Sequence, residues 1–144
     1  MGTLSDFVIA DESEAKAIGE SIQPSDTWST LTGWRGMDPI KLSTLYCSMS
    51  GETYSNDLQK SFSLVGGDKF EGPWVFLFPE NIKKCFAQFD STGLNDVAKL
   101  WASTEELKMD RWNVEGAEKF IEQITEQAKK AFEANKSLFL WLSL

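Results

Sequence analysis

The feature that most constrains this chain is its C-terminal stretch, in which an amphipathic segment, Val114 to Asn135, runs straight into SLFLWLSL, Ser137 to Leu144. In the first segment Val114, Ala117, Ile121, Ile124, Ala128, Ala131 and Asn135 alternate at spacings of three and four, the period of one helix face. A coiled-coil seam has the same spacing, but about three heptads make a short one, and a core-facing stripe is the reading adopted. Glu115 with Lys119 and Glu126 with Lys130 form supporting pairs one turn apart on the outer surface. An apolar run at a chain end frays unless neighbours hold it. SLFLWLSL therefore reads as a strand inside a sheet, with Leu138, Leu140 and Leu142 on one face and Phe139 and Trp141 on the other.

A chain of 144 residues fits a single globular domain, 1–144, and buries roughly two-thirds of its unfolded surface without staples or metals. Its net charge is -8 and is unevenly placed. Residues 1–40 carry seven acids against two bases, whereas residues 41–144 carry fifteen against twelve. Such an acidic N-terminal third repels phosphate backbones and anionic headgroups, so neither nucleic acid nor membrane is an expected partner. The basic pairs Lys83-Lys84 and Lys129-Lys130 sit on helical segments with acids a turn away, as on a solvated face. Phe7 to Ala10 is too short and lacks the basic flank of a signal peptide, and no stretch is long enough to span a bilayer. Cys47 and Cys85 show no metal or redox spacing and are read as free, partly buried thiols in a reducing compartment. The expected location is cytoplasmic.

Along the chain, Ser5 to Ala10 reads as a strand, and Asp11 with Glu14 three residues on reads as a capping box opening a helix to about Ile22. Residues 24–37, PSDTWSTLTGWRGM, show no period and form a first candidate loop. Asp38-Pro39 starts a helix that Gly51 closes, after which 52–60 is polar. Phe62 to Val65 and Pro73 to Phe78 read as strands joined by GGDKFEG. Pro79-Glu80 opens a helix to about Phe89, and a short helix carrying Val97, Leu100 and Trp101 follows. Thr104 to Asn113, TEELKMDRWN, is a second irregular loop. The order predicts an α+β fold with a four-stranded mixed sheet, about five helices and a buried terminal strand.

Three of these local patterns, taken in order, resemble the YfbM-like domain of unknown function, a bacterial family of similar size. They are the helix ending Leu45-Tyr46-Cys47-Ser48-Met49-Ser50-Gly51, the helix start Phe78-Pro79-Glu80-Asn81-Ile82, and the tail Ala131 to Leu142. The resemblance implies an α+β bacterial domain and brings no activity with it. In that family a histidine commonly stands where Tyr46 stands here, and this chain has no histidine.

Without histidine, imidazole-based triads, most catalytic zinc sites and the two-histidine iron triad are excluded, and no cofactor or metal is expected. The glycine-bearing segments Gly33 to Gly36 and Gly66-Gly67 match no phosphate loop. Carboxylates are the remaining acid-base groups. Glu105, Glu106 and Asp110 form a candidate paired site, with Trp112 near enough in sequence to raise one pKa by desolvation. Solvated glutamates at a helix end are the commoner reading of such a cluster.

Tryptophans are more informative. Trp74, Trp101 and Trp141 fall in periodic apolar elements and read as core, whereas Trp28, Trp34 and Trp112 have polar or glycine neighbours. Trp34-Arg35 and Arg111-Trp112 have the composition of a recognition hot spot. The primary expectation is thus a non-enzymatic interaction module, possible examples being an inhibitor or immunity-type protein that masks a basic target. Its face would be Trp28, Trp34, Arg35, Arg111 and Trp112. The alternative is a small-molecule or sugar-binding cleft, including a carboxylate hydrolase. The partner is another protein or a small molecule, and the oligomeric state is open.

Overall fold

The computed structural model describes residues 3–68 and 70–144, so Lys69 of the GGDKFEG loop lies outside the described residues. Its strands are β1 (Leu4–Ala10), β2 (Ser29–Arg35), β3 (Ser63–Gly67), β4 (Trp74–Leu77) and β5 (Ser137–Ser143). Its α-helices are α1 (Ala15–Glu20), α2 (Pro39–Ser50), α3 (Asn56–Lys60), α4 (Glu80–Ala87), α5 (Leu94–Ala102), α6 (Glu105–Met109) and α7 (Val114–Glu133). The strands form one sheet in the order β2-β1-β5-β4-β3, with every neighbouring pair antiparallel.

The fold is α+β, but the four-stranded mixed sheet and five helices expected from sequence are corrected to five antiparallel strands and seven helices among the described residues. The additional strand is β2, inside the stretch read as an irregular loop. Its alternation is hidden by a bulge: Leu31 pairs with Phe7 and Trp34 with Ser5, so Thr32 and Gly33 together stand opposite Asp6. The extra residue shifts the parity, and Leu31 and Trp34 reach the same side of the sheet although three apart. Gly33 takes the left-handed backbone this needs, at φ 94°. Two further helices, α3 and α6, are single turns of five residues. The first buries nothing and the second buries only Leu107, which leaves no period to read.

Strand β5 lies at the centre of the sheet, paired along its length with β1 and on its other side with β4. Its leucines 138, 140 and 142 face a helical layer with Phe7, Ile82, Phe120 and Ile124, while Phe139 and Trp141 face Val8, Ala10, Ile18 and Val75 on the opposite side. The middle of the helix stripe is buried as expected, at Ala117, Ile121, Ile124, Ala128 and Ala131, but Val114 is only partly buried and Asn135 is exposed at φ 56°, beyond the helix end at Glu133. Gln127, on the same helix, reaches the Phe7 carbonyl at 2.9 Å and so fastens α7 to β1. The second side of the sheet is covered by α1, which lies almost on the backbone of β3. A Cβ on Gly19 would stand 2.3 Å from the Gly67 nitrogen, and only glycine allows that approach.

Caps act where the sequence places them. The Lys41 amide donates to Asp38 Oδ1 at 2.8 Å, Gly51 closes α2 at φ 80°, and the Asp11 amide donates to the Glu14 carboxylate at 3.0 Å. Helix α1 is shorter than expected, because its first turn is a 3₁₀ turn and it ends at Glu20. Cys47 and Cys85 are free and partly buried. Among the described residues no helix is long and apolar enough to cross a membrane.

One place in the sheet works against stability. Asp6 is only 9% exposed and stands directly across from Trp141, 3% exposed, whose indole N–H has no acceptor among the described residues. Burial pushes the Asp6 carboxyl above its ordinary value.

Two outcomes are expected. Removing residues 137–144 abolishes the cooperative melt, because five buried apolar side chains at about 1.5–3 kcal/mol each outweigh a typical total stability. For Asp6 the folded pKa lies above the unfolded one, so the folded state holds more protons and stability falls as pH rises through that interval. Asp6→Asn should therefore raise the melting temperature at pH 7, and the gain should vanish as the pH is lowered below the ordinary aspartate value. A pH-independent difference between the two proteins would show that the charge of Asp6 is not the cause.

Candidate functional site

The two candidate loops of the sequence converge. Trp34, near the end of β2, and Trp112, between α6 and α7, stack with ring centroids 5.8 Å apart and planes inclined by 13°. Both rings stand edge-on to Phe120 of α7, and Trp112 also meets Trp101 at 5.4 Å. The indole N–H of Trp34 donates to Gln123 Oε1 at 2.9 Å. Two half-buried indoles laid on the core, with one N–H already held, extend the apolar interior outward to the sheet edge.

Arg35 and Arg111 are exposed beside them in sequence, and Arg111 occupies left-handed backbone at φ 59°. Beneath this region Lys41, nearly buried, extends its ammonium to both the Gly36 carbonyl and the Asp110 carboxylate. That contact ties the β2–α2 connection to the α6–α7 junction. Asp110 is thereby engaged in an ion pair. Glu105 and Glu106 lie in the first turn of α6, which the sequence reading left irregular. Trp28 does not join the group. It packs on the α1 side of the sheet, where its indole N–H donates to Glu14 Oε2 at 2.9 Å and, ahead of the Asp11 amide, holds that carboxyl below its ordinary value.

Sequence reasoning did not single out two other places. On the α1 side a groove of about 430 Å³ runs between α1 and the β3–β4 loop, lined by Lys16, Gly19, Glu20, Asp68 and Gly72 among others. Close in sequence to its lining residues come two strongly exposed apolar side chains, Ile22 at 93% and Phe70 at 81%. Of the charged side chains in the acidic N-terminal third, only Lys16 and Glu20 line this groove, so the charge asymmetry alone does not point to it. On the helical side a cleft of about 340 Å³ opens between α2, the turn after it and the α5–α6 junction, and includes Cys47, Ser48, Glu52 and Tyr54. Burial first, then Glu52, pushes the thiols of both Cys47 and Cys85 up, so neither is a ready nucleophile at neutral pH. No group of three or more cysteine and carboxylate side chains among the described residues is arranged to hold a metal ion.

In comparisons with known proteins, no family model, curated protein or solved structure matches the chain.

The geometry separates the tryptophans from the arginines. Trp34→Ala should cost about 2–4 kcal/mol in chemical unfolding, the scale of removing a large ring from a packed site. Arg35→Ala, at an exposed position, should stay within about 0.5 kcal/mol of the parent. If Trp34→Ala melts like the parent protein, the stack is a surface feature and not part of the core.

Proposed function

We propose that this protein is a non-enzymatic interaction module that engages a basic protein partner through the α1 side of its sheet, in the manner of an inhibitor or immunity-type protein. The observation that carries the reading is the strong exposure of Ile22, two residues beyond Glu20 of the groove lining, in a chain whose N-terminal third is acidic. A large apolar side chain left in water offers the kind of anchor contact on which binding energy concentrates. The acids of the N-terminal third supply the long-range attraction that selects a cationic partner and speeds encounter.

This moves the proposed face away from the residues first suggested by composition. Trp34 and Trp112 have each other and Phe120 for neighbours, and Trp28 sits on Glu14, so these rings have less to offer a partner than Ile22 does. A hydrolase built on Glu105, Glu106 and Asp110 is the weaker alternative, because Lys41 already engages Asp110. The YfbM-like resemblance brings no activity and leaves the reading unchanged. The free thiols of Cys47 and Cys85 support a reducing compartment, and we place the protein in the cytoplasm.

The test is affinity capture from the source cells, with the parent and the Ile22→Asp variant compared at about 0.05 and about 0.5 M salt, where screening differs strongly. A partner with a basic isoelectric point should be retained by the parent at low salt, weakened at least tenfold by high salt, and lost with Ile22→Asp. The variant's melt should match the parent's, since residue 22 is exposed. Capture of acidic partners, or retention unchanged by Ile22→Asp, would sink the proposal.

A further inference from the structure

The cleft on the helical side has a one-sided chemistry. Ser48 donates its hydroxyl proton to the Thr44 carbonyl at 2.9 Å, Ser103 to the Leu100 carbonyl at 2.6 Å, and Thr104 to the Trp101 carbonyl at 2.6 Å. A carbonyl oxygen can only accept, so the single proton of each hydroxyl is committed and only lone pairs remain for a ligand. Thr44 is in the same state: it donates to the Lys41 carbonyl at 2.8 Å and accepts from the Trp101 indole at 3.1 Å. Four hydroxyls that look versatile in sequence are, in place, acceptors.

Glu52 adds a charge of the matching kind. One of its oxygens accepts the phenolic proton of Tyr46, which holds the carboxylate at the cleft while its second oxygen stays open to a ligand. Tyr54 contributes an aromatic ring and Leu100 an exposed apolar side chain. Cys47 remains a protonated thiol here, so the site binds and does not attack. The volume falls at the lower end of the roughly 300–1,000 Å³ usual for small-molecule sites.

We propose that this cleft binds a primary alkylammonium group, carried by a free amine or by a lysine side chain. An ammonium has three donors and no acceptor, which complements lone pairs that have no protons left to give. Its charge is met by Glu52, an aromatic face such as that of Tyr54 attracts a cation, and Leu100 covers the methylene stem. A phosphate would need donors that these hydroxyls have already committed. A sugar hydroxyl could donate to these lone pairs but would bring no positive charge to Glu52. The site lies on the opposite side of the sheet from the α1 groove and stands independently of the partner proposed there.

The experiment is a nuclear magnetic resonance titration of the full chain, following backbone amides, with n-pentylammonium chloride, n-pentanol and Nα-acetyl-lysine amide as probes. Saturable shifts from n-pentylammonium should centre on Ser48, Tyr54, Ser103 and Thr104, and n-pentanol should produce none. Glu52→Gln, which keeps an acceptor for Tyr46, should weaken binding at least tenfold, and Tyr54→Leu should weaken it several-fold. Both variants must retain the parent's amide spectrum away from the cleft. Binding of acetyl-lysine amide at least as tight as that of n-pentylammonium assigns the site to a lysine, and preference for n-pentylammonium assigns it to a free amine. Non-saturating shifts spread over the exposed acids, equal binding of n-pentanol, or unchanged affinity in Glu52→Gln would each overturn the proposal. Ile22→Asp should bind the amine like the parent, which separates this site from the α1 groove.

Discussion

The antiparallel pairing of β5 with β1 on one side and β4 on the other joins two sheet halves that otherwise share no strand contact. Because β5 is covered on both faces, its alternate side chains fill two separate apolar clusters at once. The leucines complete the layer beneath α7, and Phe139 with Trp141 completes the smaller cluster beneath α1. Removing such a strand would expose apolar surface in both clusters and leave unpaired backbone on two neighbours. The longer helices sort by which of those two faces they cover.

The two faces are also chemically unlike. The side carrying α2, α4, α5 and α7 is a thick layer, and one of its outer clefts is lined by hydroxyls already bonded to their own helices. The side carrying α1 is thin. There glycine lets a short helix lie against the sheet backbone, Asp6 is covered without a compensating charge among the bonds described, and a groove lined by Lys16, Glu20 and Asp68 opens beside that helix. A thin covering layer leaves side chains such as Ile22 nothing of their own chain to fold onto, whereas a thick one encloses small clefts between its helices. The contrast sorts the two proposed binding modes, surface contact on one side and small-group recognition on the other.

Much of this architecture is legible in the chain itself, wherever one local rule decides the outcome. Asp38-Pro39 and Gly51 bound α2 because cap chemistry acts within one turn, and the three-four stripe of α7 survives because twenty residues average out local exceptions. Strand β2 was lost for a local reason too: the bulge at Thr32-Gly33 places Leu31 and Trp34 on one face and erases the period of two. Helix α6 has only Leu107 to declare it. Of the candidate site, sequence could mark Trp34 and Trp112 as unusual but not that they stack on Phe120, nor that Trp28 lies across the sheet from them. The acceptor character of the α2–α5 cleft was illegible in principle, since a serine's composition does not say where its proton goes.

The central place of β5 has a further meaning during synthesis. Leu4 pairs with Ser143, so β1 emerges and must wait for the strand that will lie beside it until well over a hundred residues have followed. At roughly 5–20 residues per second that interval lasts from several to a few tens of seconds, far longer than a hairpin needs to form. Meanwhile β1–β2 and β3–β4 can exist only as separate ribbons, each with an unfilled edge turned toward the place β5 will take. Once β3 and β4 have also been made, the chain carries two apolar, strand-accepting edges until β5 arrives, and an exposed edge will pair with whatever extended chain reaches it first. The tendency of such a chain to aggregate should be set by how slowly the last helix and strand arrive.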